Sequence, residues 1–190
     1  AAGQTGAGNA SRLLVGNPHT FNATDSAPAV AIAEGLRGKV DKLVGGAFRV
    51  LTRQEMNDAL QQYGYPKDAI LSVMTTRVLA QALNSKAMVV STLTKDQNGR
   101  YVVTSRFGGI NDDAANVVTV TQAAGQGLAD IGVRLGEGFA AALKAFPDAK
   151  ACVDQSKTAP DKASAAGRKV LTAVPKHGLA NFCLGKLAQG

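Results

Sequence analysis

A chain of 190 residues, 45% hydrophobic and without tryptophan, is long enough to bury roughly 70% of the surface its unfolded form exposes. It needs no metal to fold, and with only 5% aromatic residues its core must come from Ala, Val, Leu and Ile. The net charge is +7, but the 21 Lys and Arg residues are spread along the chain, with none of the basic stripes and interleaved aromatics of a nucleic-acid binder. No run reaches the roughly 20 apolar residues that a membrane-spanning helix requires.

The chain opens on Ala1, and residues 1–10 are rich in Gly and Ala. Such a start reads as a flexible segment on the mature side of a signal-peptidase cut, which predicts a periplasmic or extracellular protein. Leu13, Leu14 and Val15 then predict a strand over residues 12–15, with a continuation toward Phe21 before the chain loops away. Asp25 and Ser26 are candidate N-caps, Pro28 suits a first helical turn, and Val30, Ala33, Leu36, Val40 and Leu43 recur at helical spacing. A helix over residues 28–44 follows.

Gly45 and Gly46 stop that helix, and Phe48, Val50 and Leu51 form a second strand leading into Thr52, Arg53, Gln54 and Glu55. Those four residues make a capping box, so a helix begins there and ends near Gln62. After the turn at Gly64, Tyr65 and Pro66, a third helix with one apolar face is expected from Asp68 to Leu83, carrying Ile70, Leu71, Met74, Val78 and Leu79.

Residues 86–94 read as a buried strand, and Asp96, Gln97, Asn98 and Gly99 as a hairpin turn in which Asn98 and Gly99 tolerate positive φ. Tyr101, Val103 and Ser105 alternate with Val102, Thr104 and Arg106 on the return strand. Val117 to Thr121 makes the next antiparallel neighbour, and a long helix runs over residues 125–146. The sum is an α/β arrangement, a mixed sheet of about five strands covered by helices on at least one face. Residues 147–190 change character and read as two or three short helices, broken at residues 158–160 and at Pro175. The chain therefore divides into an N-terminal segment 1–10, an α/β domain 11–146 and a helical extension 147–190.

The passages AFRVLTRQEMNDAL and LAQALNSKAMVVSTLTKDQNGRYVVTSRF, with their strand, capped helix and helix-to-hairpin order, resemble the amino-terminal domain of TolB and its relatives, the curli-secretion lipoprotein and FlgO-type flagellar proteins. The resemblance spans residues 12–146 and departs at the opening strand, where NPHTFNATD stands in place of a longer apolar run. It implies a bacterial envelope module that docks onto partners or assembles into larger bodies, without catalytic residues. The tail resembles the start of a tetratricopeptide array, since Pro175, Ala180, Leu184 and Gly185 stand at the spacing of that repeat's proline, small residue and Leu-Gly pair. The large aromatics expected at Asn181 and Ala188 are missing. A helix pair of this kind cannot bury its face alone, which implies a longer array, a capping partner or a degenerate repeat.

Little in the chain suggests catalysis. His19 and His177 have no Asp, Glu or Cys in ligand spacing and read as lone surface imidazoles. Asp112 and Asp113 sit in a Gly/Asn loop and read as a solvated turn rather than an acid/base pair. Gly136 and Gly138 read as helix-packing positions. Cys152 and Cys183 lack CxxC spacing, so a zinc or thioredoxin-type site is not expected. A disulfide between them and two buried free thiols both fit, and the tetratricopeptide register would bring them close on consecutive short helices. Lys157, Lys162, Arg168, Lys169 and Lys176 make the tail mildly basic, either as a solvated face or as a docking patch.

No cofactor and no metal are expected, and no catalytic residue is assigned. The reading is a non-catalytic scaffold or accessory subunit of a bacterial envelope complex, with other envelope proteins or further copies of itself as partners. The alternative is a periplasmic small-molecule or glycan-binding domain, with residues 108–116 and 17–24 at the mouth of a pocket.

Overall fold

The computed structural model describes residues 10–189. The segment expected over residues 1–10 therefore lies outside the described residues except at Ala10. A mixed sheet forms the centre, built from β1 (Ser11–Val15), β2 (His19–Thr20), β3 (Phe48–Val50), β4 (Ser85–Lys95), β5 (Tyr101–Gly109) and β6 (Asn116–Thr121). The strand order is β3-β1-β4-β5-β6, with β2 paired to the upper part of β4. β1, β3 and β4 run parallel, and β4, β5 and β6 form the antiparallel meander.

The first strand ends at Val15 instead of continuing to Phe21. The Gly16 amide still donates to the Val89 carbonyl at 3.0 Å, and the ladder is interrupted at Pro18, which has no amide to donate, before His19 and Thr20 rejoin it opposite Thr92 and Leu93. Phe21 is left 83% exposed. α1 (Ser26–Leu43) then crosses back over the sheet with Ala29, Ile32, Ala33, Leu36 and Val40 buried. Asp25 occupies its N-cap position without capping it. Its carboxylate accepts instead from Lys95 Nζ at 2.8 Å and Tyr101 OH at 2.9 Å, fastening the helix start to the hairpin.

α2 (Arg53–Gln62) begins at the capping box: Thr52 Oγ1 accepts from the Glu55 amide at 3.2 Å, and Glu55 Oε2 accepts from the Thr52 amide at 2.9 Å. α3 (Val73–Ala82) starts later than the apolar spacing predicts. Asp68 adopts φ 58°, which no helix accommodates, and Ser72 becomes the cap by accepting from the Thr75 amide at 3.1 Å. The expected single apolar face is also not all buried. Thr76, Leu79 and Ala80 face inward, whereas Met74 is 67% and Val78 60% exposed.

Strand alternation sorts the interior into two layers. Leu13, Val15, Val89, Val103 and Phe107 point to the face covered by α1 and α4 (Leu128–Gln155). Leu14 and Met88 point to the other face, where Leu51, Met56, Leu60 and Leu79 cover them. α1 and α4 approach so closely that a Cβ on Gly35 would strike the Ala129 carbonyl, and one on Gly132 the Ile32 carbonyl. Gly136 and Gly138 are packing positions in the same helix, against Lys39 and Val118 respectively.

α4 does not stop at Phe146. It runs through Pro147 to Gln155, so the boundary expected at 146/147 falls inside one helix. A proline inside a helix forfeits a hydrogen bond and crowds the preceding turn. Ala149 and Cys152 nevertheless continue the buried stripe of Phe139, Leu143 and Phe146, and that burial outweighs the defect. α5 (Pro160–Ala173) and α6 (Gly178–Leu187) follow, with breaks at residues 158–160 and Pro175. Their apolar faces need no further repeat, because Val170, Leu179 and Ala180 enter the same core as the sheet. A disulfide joins Cys152 to Cys183, linking α4 to α6 with α5 between them in sequence.

Candidate functional site

The carboxyl end of the parallel strands, where open α/β sheets usually bind small ligands, is filled by the chain itself. Arg37 is buried there. Its Nε and Nη2 donate to the Val15 carbonyl at 3.1 and 2.9 Å, and Nη2 also donates to Asn17 Oδ1 at 2.9 Å. A further ion pair joins Arg37 to Glu34. Burial lowers the guanidinium pKa, and the Glu34 carboxylate opposes that shift. Asn17 Nδ2 donates onward to the Asp68 carbonyl at 3.2 Å. Arg53 grips the Asp68 carboxylate at 2.7 and 2.6 Å, and Asn57 donates to it at 3.2 Å. The Arg53 hydrogen bond holds the Asp68 carboxyl below the usual carboxylate range. These groups satisfy one another, and the open cleft of about 280 Å³ beside them is lined by Arg37, Arg53 and Glu34, whose charges are already paired.

A cavity of about 520 Å³ lies at the opposite end, where β1, β3 and β4 begin and β5 ends. Gly109, Ile110, Asn111 and Asp112 line one side, Lys86 and Lys150 another. The expected mouth residues 108–116 are thus partly present, while residues 17–24 contribute none of the lining. Asp112 does not sit in a solvated turn. Its side chain is 4% exposed, with Oδ1 3.2 Å from Lys150 Nζ. Gly109 makes this possible, because a Cβ there would overlap the Asp112 carboxylate. Oδ2 has no hydrogen-bond partner among the described residues. Lys150 is shared with Asp154 at 3.0 Å, so the two lysines of the lining are balanced by two carboxylates.

Neither histidine is a plain surface imidazole. His177 is buried at the start of α6, where Nδ1 accepts from the Ala180 amide at 3.4 Å and Nε2 lies 3.4 Å from the Ala142 carbonyl. Burial pushes its pKa down. It is an N-cap, a role visible in hindsight from its place just before the apolar run Gly178, Leu179, Ala180. His19 packs edge-on against Phe21 at 5.1 Å. Among the described residues, no group of three or more His, Cys, Asp or Glu is arranged to hold a metal. The tail residues Lys157, Lys162, Arg168, Lys169 and Lys176 are all exposed. Lys169 is paired with Asp148 at 2.8 Å, and Arg168 Nε donates to Ser164 at 3.3 Å.

The feature that sequence reasoning missed is an apolar groove of about 240 Å³ between α2 and α3, lined by Leu60, Tyr63, Tyr65, Leu71, Val78 and Leu79. Tyr63, Tyr65, Val73, Met74 and Val78 are all exposed. The signal was available: α3 carries apolar residues on both sides, and a helix of that kind needs two partners. The sheet supplies one of them.

No protein-family model and no curated protein matches the chain. Solved structures similar to it include a PelC dodecamer from Paraburkholderia phytofirmans, 14% identical over 69% of this chain and 86% of that one, with a TM-score of 0.40. Another is the LpoB C-terminal domain from Salmonella enterica, 19% identical over 61% and 87%, with a TM-score of 0.43. A third is the lipoprotein GNA1162 from Neisseria meningitidis, 10% identical over 62% and 84%, also with a TM-score of 0.43. Likenesses of this size say nothing of what this chain binds.

Proposed function

We propose that this chain is a non-catalytic contact module of the bacterial cell envelope, a scaffold or accessory subunit of the kind that the resemblance to the TolB amino-terminal domain implies. The observation that carries the reading is the groove between α2 and α3, where Tyr63, Tyr65 and Val78 face water. Contiguous apolar surface of this kind marks contact sites in soluble proteins. The Cys152–Cys183 disulfide favours an oxidising compartment outside the cytoplasm. The basic residues Lys157, Lys162, Arg168, Lys169 and Lys176 would form a second, weaker contact face on the tail.

A photo-crosslinking amino acid at Val78, with a control at exposed Glu137, tests the reading in intact envelopes. A discrete protein adduct from position 78 and none from 137 is expected. Absence of any adduct at 78, or the same adducts at both positions, would count against it.

The cavity beside Gly109 and Asp112 favours a second reading, a small-molecule or glycan-binding domain. Its test is a thermal-shift screen, since a ligand that binds only the folded state raises the melting temperature. A shift that disappears in Ala151→Leu, which narrows the cavity, supports it. A screen of envelope saccharides and small metabolites with no shift removes it.

A further inference from the structure

The two edges of the sheet are finished differently. β3 is three residues long and has Arg49 at its centre, paired with Glu55 at 2.8 Å. Short length and charge are the usual protections of an exposed edge. β6 has neither: its six residues, NVVTVT, include no charge and no proline, and Val117 is 55% exposed.

The backbone of β6 is also open. The Gln122 amide donates to the Tyr101 carbonyl at 2.8 Å, and Val102 to Phe107 stand opposite Thr121 to Asn116. Because antiparallel hydrogen-bonded pairs alternate, residues 116, 118 and 120 turn their amides and carbonyls toward β5. Residues 117, 119 and 121 turn theirs outward. Among the described residues, no side chain or loop bonds to the main chain of Val117 or Thr119, and the only outward carbonyl taken is that of Thr121, by Arg134 at 3.1 Å.

We infer that β6 pairs with β6 of a second copy, antiparallel about a two-fold axis at Thr119, extending the sheet across both molecules. The inference rests on the protein-contact reading above and names one partner for it. In this register Thr119 faces its own copy, and Val117 faces Thr121 of the other chain. Every cross-strand pair is then β-branched and uncharged although each chain carries +7, and the charge nearest the seam is Arg134, which must share the Thr121 carbonyl with the Val117 amide of the other chain. The pairing also continues a row already in the sheet. Thr92 stands opposite Thr104, and Thr104 opposite Thr119, with the last two hydroxyls bonded at 3.0 Å. An isologous contact of this type closes after two copies. Edge pairing alone buries less than a standard interface, so the dimer dissociates on dilution. Salt strengthens it by screening the repulsion between the two basic bodies.

Sedimentation equilibrium of the full chain tests this, beside Thr119→Pro and Val117→Lys. Proline at 119 deletes an outward amide together with the hydroxyl bonded to Thr104, and lysine at 117 adds a charge at an exposed edge position. Circular dichroism and urea unfolding verify that both variants fold. The mass of the unaltered chain is expected to rise with concentration from 19.5 kDa toward twice that value, more so at high salt, while both folded variants remain monomeric. A monomer at every concentration, or a dimer that survives both substitutions, overturns the inference. A photo-crosslinker at Thr119 separates the two levels of the proposal. A homodimer adduct supports self-pairing. An adduct only with a different protein overturns self-pairing and leaves the contact reading standing, since that reading is decided by the adducts at positions 78 and 137.

Discussion

Arg53 holds Asp68 through two hydrogen bonds of 2.7 and 2.6 Å, at a residue whose own backbone stands at φ 58°. The side-chain grip and the left-handed turn are one device. Together they end the stretch after α2, delay α3 to Val73 and present Asp68's carbonyl to Asn17.

Substituting Asp68 separates the two contributions. Asp68→Asn keeps a residue that tolerates the left-handed region, and it should cost less than about 1 kcal/mol because the ion pair is partly exposed. Asp68→Val loses the pairing and forces a β-branched residue into that region, with an expected cost of about 1–3 kcal/mol. Urea unfolding midpoints of the two variants give the comparison. Equal losses would show that backbone strain contributes nothing here.

The crossing of α1 and α4 predicts a second outcome. Gly132→Ala would gain helix propensity on a free helix, but its methyl would meet the Ile32 carbonyl. Prising two packed helices apart should destabilise the fold by about 1–3 kcal/mol. Gly38→Ala in α1, where a Cβ meets nothing within 4 Å, should be neutral or stabilising. A calorimetric melting comparison distinguishes the two.

Acid should weaken the fold through His177. Burial lowers its pKa, so the unfolded chain binds more protons than the folded one once the pH falls to the ordinary imidazole value of about 6.5. The stabilisation is complete above that pH and shrinks below it, continuing until the lowered folded-state value is reached. His177→Asn retains an N-cap acceptor but does not titrate. Its urea midpoint should change less than that of the unaltered chain between about pH 8 and about pH 5. Parallel declines would exclude the imidazole as the cause.

Removing the disulfide as the pair Cys152→Ser and Cys183→Ser should cost about 3–4 kcal/mol, the loop-closure value for a separation of 31 residues. The loss should appear first as faster amide hydrogen exchange in α6, since α5 and the sheet keep their own packing. Uniform acceleration across the sheet would show instead that the tail and the sheet unfold as a single unit.

Much of the sheet and its cover could be read from local pattern. Thr52 with Glu55 announced α2, Gly99 takes the positive φ of 73° expected of the hairpin turn, and alternation through Val103 and Ser105 gave the strand its faces. Long-range choices were not legible. Nothing local to Asp112 says that a glycine three residues earlier leaves room for its carboxylate. The continuation past Pro147 depends on Cys152 and Ala149 finding a core contributed by another part of the chain. Met74 and Val78 look like core by periodicity, yet the sheet below α3 accepts only Thr76, Leu79 and Ala80. The edge of β6 and the burial of His177 follow from what a distant element covers or leaves uncovered, whereas the groove was foreshadowed by the apolar residues on both sides of α3.

Because α4 passes Pro147 without a break, the protein has no joint between sheet and tail. A tug on α6 travels by the Cys152–Cys183 bridge into a single 28-residue rod, and also through the Gly178 amide, 3.0 Å from Asn116 Oδ1, into the first residue of β6. A pull on one end is therefore passed to the other through these two connections.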